Sequence, residues 1–86
     1  MPKLRIIIAA DHRGVGVKSR LVPWLTSQGY QVEDIGTHST AAVDYPPYAF
    51  QVGEAVAAGR ADRGILICGS GNGIAIAANK VRGVRA

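Results

Sequence analysis

Cysteine occurs once in these 86 residues, at position 68, and tryptophan and phenylalanine also occur once each. A single cysteine excludes an internal disulfide, and Cys-x-x-Cys or zinc-type spacing is absent. Cys68 is therefore either a buried filler, the usual fate of free cysteine, or a working thiol. No apolar run approaches the ~18 residues of a membrane span. The apolar stretch in "MPKLRIIIAADH" is too short for a signal peptide, with Asp11 and His12 directly behind it. A cytoplasmic location is the expectation. Acidic residues are also few, six against ten Lys and Arg, giving a formal net charge of +4. That balance suits an anionic partner. The basic residues are scattered, however, and no aromatics alternate with them as a single-strand binder requires. Neither nucleic acid nor a membrane is expected as a partner. No repeat, low-complexity tract or linker is visible, so residues 1–86 read as one domain. A chain this short buries only ~60–65% of the surface it exposes when unfolded.

What is present alternates between two periodicities. "LRIIIAA" (4–10) is a continuous β-branched run, the pattern of a strand buried on both faces. From Gly14 to Gln28, Val17, Leu21, Trp24 and Leu25 fall on one helical face, with Gly29 as the stop and Pro23 an awkward interior residue. "YQVEDIG" (30–36) reads as a more polar strand nearer an edge, and "THSTAAVDYPP" as a loop in which His38 is solvated. Asp44 is placed to cap the next helix, with Pro46 or Pro47 in its first turn. That helix runs to about Ala58, with Phe50 or Val52, Ala55 and Val56 facing inward. "RGILIC" (63–68) is a third buried strand, "GSGNG" a turn, "IAIAANK" a short helix, and "GVRA" the start of a fourth strand. The order β-α-β-α-β-α predicts the α/β class: a three-layer, Rossmann-like parallel sheet of flavodoxin-like order with flanking helices. An unpaired strand edge in such a sheet invites pairing with another chain.

In such sheets ligands bind beyond the C-terminal strand ends, where the strand order reverses. If the order begins 2-1-3, that point lies between strands one and three. Strand one ends in Asp11, His12 and Arg13, and strand three in Cys68, Ser70 and Asn72, so one crevice collects both clusters. Asp11 and His12 read equally as a helix cap and a surface imidazole, Tyr45 as a loop anchor or a lid, and Asn79 and Lys80 as helix-end residues. The glycines are spaced Gly69-x-Gly71-x-Gly73, which is neither the dinucleotide fingerprint nor a P-loop, since Ile74 and Lys80 stand in the wrong places. Backbone N–H groups in a glycine-rich turn leading into a helix make an anion-binding concavity. A thiol at that point can serve as nucleophile, redox centre or general base, but no resolving cysteine exists for redox work.

Taken together, "AADHRG", "VDYP" and "RGILICGSGNGIAIAANKVRGVRA" resemble the ribose-5-phosphate isomerase B family, in a wider group with galactose- and allose-6-phosphate isomerases. The resemblance runs over essentially the whole chain. It implies interconversion of aldose and ketose phosphates without metal or cofactor, by ring opening and then proton transfer between C2 and C1 through a cis-enediolate. It makes Cys68 the base. The alternative branch has a glutamate at the position of Ile74. The backbone of Gly69, Ser70, Gly71, Asn72 and Gly73, with the Ser70 hydroxyl, would hold the enediolate oxygens. Asp11 would handle hydroxyl protons, His12 would meet the phosphate or sugar, and Tyr45 would line the site. The resemblance further implies a homodimer or higher homo-oligomer. Family members are longer, so the chain is expected to be the N-terminal part of the family fold, stopping as strand four begins. It then lacks the ring-opening histidine, a neighbouring asparagine and the phosphate-gripping arginines. The competing expectations are a non-catalytic phosphosugar-binding fragment or subunit, and an isomerase of a 6-phospho-hexose. A nucleotide-dependent oxidoreductase is disfavoured by the glycine spacing.

Overall fold

The computed structural model describes residues 4–36, 38 and 46–86. Their elements follow the expected alternation: β1 (Arg5–Ala10), α1 (Val15–Ser27), β2 (Gln31–Asp34), α2 (Pro46–Ala57), β3 (Arg63–Ile67) and α3 (Asn72–Asn79). The strands make one parallel sheet in the order β2-β1-β3. β1 is central because it alone is apolar on both faces, its last five residues all being buried. Ile7 and Ala9 pack with Val52, Ala55 and Ala61 on the α2 side, so by strand alternation Ile6, Ile8 and Ala10 face α1. The chain steps from β1 to β2 in one direction and from β2 to β3 in the other. Right-handed crossovers then place α1 and α2 on opposite faces. α3 joins α2, its Ile74, Ala77 and Ala78 closing a second cluster around Ala49. The expected three layers are present.

α2 begins at Pro46 and Pro47, as the sequence predicts, and buries Val52 rather than Phe50, which stays 38% exposed. The expected helix cap Asp44 lies outside the described residues. α1 ends at Gly29, whose φ of 95° lets Tyr30 N–H reach the Leu25 carbonyl at 3.2 Å. Its inward face departs from expectation. Leu25 is buried, but Val17 and Trp24 are more than half exposed, and the helix buries Lys18 instead, at 2%. The stripe that meets the sheet runs Gly14, Lys18, Leu25, one residue away from the most apolar one. Two contacts set that rotation. Gly14 presses on Ile67 and Ala10, where a Cβ would come within 2.7 and 3.0 Å. The Lys18 ammonium donates to Asp34 Oδ1 and, at 3.1 Å, to the Gly36 carbonyl. A buried ammonium is tolerated only with such partners.

Gly36 is the tightest crossing. A Cβ there would stand 2.3 Å from the Ala10 nitrogen and 2.7 Å from Ala9 Cα. The chain leaving β2 therefore runs directly over the end of β1. At the other end of the sheet, Arg5 pairs with Asp62 at 3.1 Å and also holds the Gly59 carbonyl. The hydrogen bonds from Arg5 hold the Asp62 carboxyl below its ordinary range, although so exposed a pair contributes little to stability. The "GVRA" segment (83–86) carries no strand hydrogen bonds. Val84 N–H turns back to Val81, and the Asn79 amide brackets Ala86, accepting its N–H at 2.9 Å and donating to its carbonyl at 3.1 Å.

Candidate functional site

The C-terminal ends of β1 and β3 are knitted together past the last strand residues. Asp11 N–H continues the ladder to the Ile67 carbonyl at 3.1 Å, and Gly14 packs on the same carbonyl. The small side chains of Ala9 and Ala10, both fully buried, let these turns come close. The reversal of strand order at β1 thus brings "DHRG" and "CGSGNG" to one place, as the sequence predicts.

Each cluster has its own internal order. Asp11 is 5% exposed, and its Oδ1 accepts the N–H groups of Arg13 at 2.9 Å and Gly14 at 3.2 Å. One carboxylate oxygen is therefore committed to shaping the turn into α1. His12 is half-buried and Arg13 exposed. His38 is 72% exposed, 3.8 Å from Asp34, and solvated as expected. Tyr45, expected to line the site, lies outside the described residues.

In the second cluster Cys68 is partly buried, and the Gly71 N–H donates to its sulfur at 3.1 Å. The sulfur is folded in under the glycine turn. Gly71 has a φ of 81°, the left-handed region where a side chain is strained. That conformation is what returns its N–H to the sulfur three residues back. It also starts α3 early. Ala75 N–H closes the first helical turn on the Gly71 carbonyl, so Asn72 and Gly73 are helical rather than part of the turn. Asn72 N–H is taken by Ser70 Oγ at 3.2 Å.

The sequence reading treated all the N–H groups from 69 to 73 as one cradle, and the structure sorts them. Gly71 serves the sulfur and Asn72 serves Ser70. Gly69 and Ser70 have no backbone acceptor among the described residues. Gly73 and Ile74 stand in the first turn of α3, where N–H groups have no helical partner. Four donors therefore remain for a ligand oxygen. The Ile74 side chain is 2% exposed in the α2–α3 core and turned away from any ligand. Sequence reasoning missed the partner of Gly69. Arg13 lays its guanidinium against that glycine, closer than a Cβ there would allow. The only sequence signal was Arg13's place two residues after Asp11. Among the described residues no three His, Cys, Asp or Glu side chains converge as a metal cage. The concavity of about 200 Å³ between Arg5, Gln31, Glu33 and Arg60 lies at the opposite, N-terminal strand ends. It gathers no comparable set of donors around a thiol.

Known proteins share much of this sequence and fold. A family model described as Ribose/Galactose Isomerase matches residues 6–86. Ribose-5-phosphate isomerase B of Escherichia coli is 51% identical over 82 residues, covering 95% of this chain and 55% of that protein. Galactose-6-phosphate isomerase subunit LacB of Clostridium acetobutylicum is 41% identical over 81 residues, covering 94% and 47%. The solved structure of Clostridium thermocellum ribose-5-phosphate isomerase B superposes with a TM-score of 0.93 at 50% identity, covering 95% of this chain and 55% of that one. The chain spans about half the length of the relatives it matches.

Proposed function

This chain belongs to the ribose/galactose isomerase family, and from that premise we propose that it interconverts ribose 5-phosphate and ribulose 5-phosphate with Cys68 as the base. The observation that carries the proposal is the Cys68 sulfur held under a glycine turn by the Gly71 N–H, beside unspent N–H donors and opposite the Asp11 turn. Enolisation needs a base next to a carbon acid and fixed donors on the oxygen that gains charge. Both lie within residues 68–74.

In the open-chain aldose the Cys68 thiolate removes the proton from C2. The C2–H electron pair forms the C1–C2 double bond, and the C1 oxygen becomes the oxyanion. The free N–H groups of Gly69, Ser70, Gly73 and Ile74, with the Ser70 hydroxyl, stabilise that oxygen. Asp11, one of whose oxygens is held by the turn, moves the hydroxyl proton from O2 to O1 through the other. The thiol then returns its proton to C1, leaving the C2 ketone, so no electrons enter or leave the pair of sugars. His12 meets the phosphate or sugar, and Tyr45 lines the site. This reading places the protein in the cytoplasm as a homodimer or higher homo-oligomer. Among the described residues the outer edges of β2 and β3 are unpaired, which supports association. Among the described residues no helix is long and apolar enough to cross a membrane.

The chain's half-length coverage of its relatives supports a second reading, phosphosugar binding without turnover by these residues alone. The galactose-6-phosphate isomerase relative keeps a 6-phospho-hexose open as substrate. One experiment separates them: the chain with ribose 5-phosphate in deuterated water, no metal or cofactor added, followed by NMR. Ribulose 5-phosphate carrying deuterium at C1 is expected. Binding without ketose would favour the second reading, and absence of binding would remove both.

A further inference from the structure

Resting on the isomerase reading, we propose that Arg13 is a substrate-binding residue whose guanidinium takes the sugar's phosphate, and that Gly69 lacks a side chain in order to seat it. The geometry is particular. A Cβ on Gly69 would lie 2.6 Å from both Cζ and Nη1 of Arg13 and 2.8 Å from Nε. Three atoms of one planar group at nearly equal distance mean that the guanidinium lies with its face, not its edge, against the glycine. Its N–H donors spread in that plane and are left for something else.

The glycine itself is not explained by backbone conformation. Only Gly29, Gly59, Gly71 and Gly83 take positive φ among the described residues. Gly69 does not, so an alanine fits its backbone angles, and what excludes the methyl group is Arg13. The backbone that carries the arginine is fixed by the buried Asp11, whose Oδ1 holds the N–H groups of residues 13 and 14.

That contact leaves a permanent cation whose guanidinium has no carboxylate or carbonyl partner among the described residues. The nearby Asp11 carboxylate has one oxygen engaged by the turn and is almost fully buried. A surface arginine without a partner usually extends into water. This one is folded onto main chain next to the only thiol. Oxygens at the reacting end of the sugar already have the neutral N–H groups of Gly69, Ser70, Gly73 and Ile74. A charged fork adds what those lack, paired donors for a dianion, and Arg13 is exposed at the crevice rim, where the far end of an extended sugar chain would lie.

The test is a set of NMR titrations with ribose 5-phosphate, free ribose and inorganic phosphate. It uses the unmodified chain, Arg13→Met, Arg13→Lys, Gly69→Ala and the double variant Arg13→Met/Gly69→Ala. Folding is checked by amide spectra. Arg13→Met is expected to weaken ribose 5-phosphate about 10- to 100-fold, the range for a hydrogen bond to a charged group. Inorganic phosphate should weaken in parallel while free ribose is little changed. Arg13→Lys should recover part of the loss, since it restores charge but not the fork. Gly69→Ala should displace the flexible end of Arg13 rather than the backbone and so resemble Arg13→Met. The double variant should then be little weaker than either single change. Ribose 5-phosphate binding unchanged in Arg13→Met would overturn the assignment and leave the isomerase reading standing. So would a loss in Gly69→Ala that persists in full on the Arg13→Met background. An unmodified chain that binds no ribose 5-phosphate would overturn both.

Discussion

Cys68→Ala is expected to reduce isomerisation of ribose 5-phosphate by about 10³-fold or more, toward the upper end of what a positioned base contributes, while leaving the fold intact. The sulfur is only partly buried, and among the described residues its hydrogen bond comes from Gly71. Deleting it trims one partly buried contact with the Ile74 cluster, and Gly71 is held in place by the start of α3. Circular dichroism should therefore match the unmodified chain. The reading that matters is solvent deuterium at C1 of the ketose. It should disappear together with turnover, because the same sulfur removes and returns the proton. Cys68→Ser keeps the shape but offers a far weaker base, and it should be nearly as inactive. Deuterium incorporation surviving in the alanine variant would remove Cys68 as the base and transfer the role to another group in the crevice.

Gly36→Ala is expected to be the most damaging single methyl group in the molecule. At the 2.3 Å separation from the Ala10 nitrogen the obstacle is main chain, which cannot swing aside as a side chain does. The loop leaving β2 must lift off β1. That movement also pulls the Gly36 carbonyl away from the buried Lys18 ammonium. Overpacking of this kind costs about 1–3 kcal/mol, and a weakened bond to a buried cation adds to it. With about 4–8 °C of melting temperature per kcal/mol in a domain of this size, a fall of some 15 °C is expected by thermal circular dichroism. Because Ala10 leads directly into Asp11, substrate binding should weaken before the chain unfolds. A melting temperature within about 3 °C of the unmodified chain would show that the loop relaxes freely and that the crossing carries no strain.

Much of this was legible in the sequence, for reasons that can be named. The triple isoleucine of β1 admits only a strand buried on both faces. Gly29 marks a helix end through its left-handed φ, whereas the start of α3 was read two residues late, at Ile74 rather than Asn72. The sequence reading supposed a sheet beginning 2-1-3, the structure has that order, and the reversal brings Asp11 and Cys68 to one point. Three things were not legible. The inward face of α1 was misread by one residue, because hydrophobicity favours Val17 and Trp24 whereas the contacts of Gly14 and the bonds of Lys18 fix the rotation. No periodicity argument ranks a lysine above a tryptophan for burial. The glycine turn reads from sequence as a uniform row of donors, and only its dihedral angles show which N–H serves the sulfur and which stay free. Finally, Arg13 and Gly69 stand 56 positions apart, and nothing local in either explains the other.

The rotation of α1 has a consequence for how this molecule can be observed. Trp24 is the sole indole, and it stands 55% exposed on the outer stripe of that helix, beside Val17, Arg20 and Leu21. With more than half of its surface in water, its emission in the folded chain is expected to be close to that of a solvated indole. Unfolding the core will shift that emission little, so a flat fluorescence trace during denaturation does not mean that the protein is intact. The same indole is well placed to report anything that covers the outer face of α1. A blue shift at constant circular dichroism marks association on that face, and a ligand entering the crevice at the ends of β1 and β3 leaves the signal untouched.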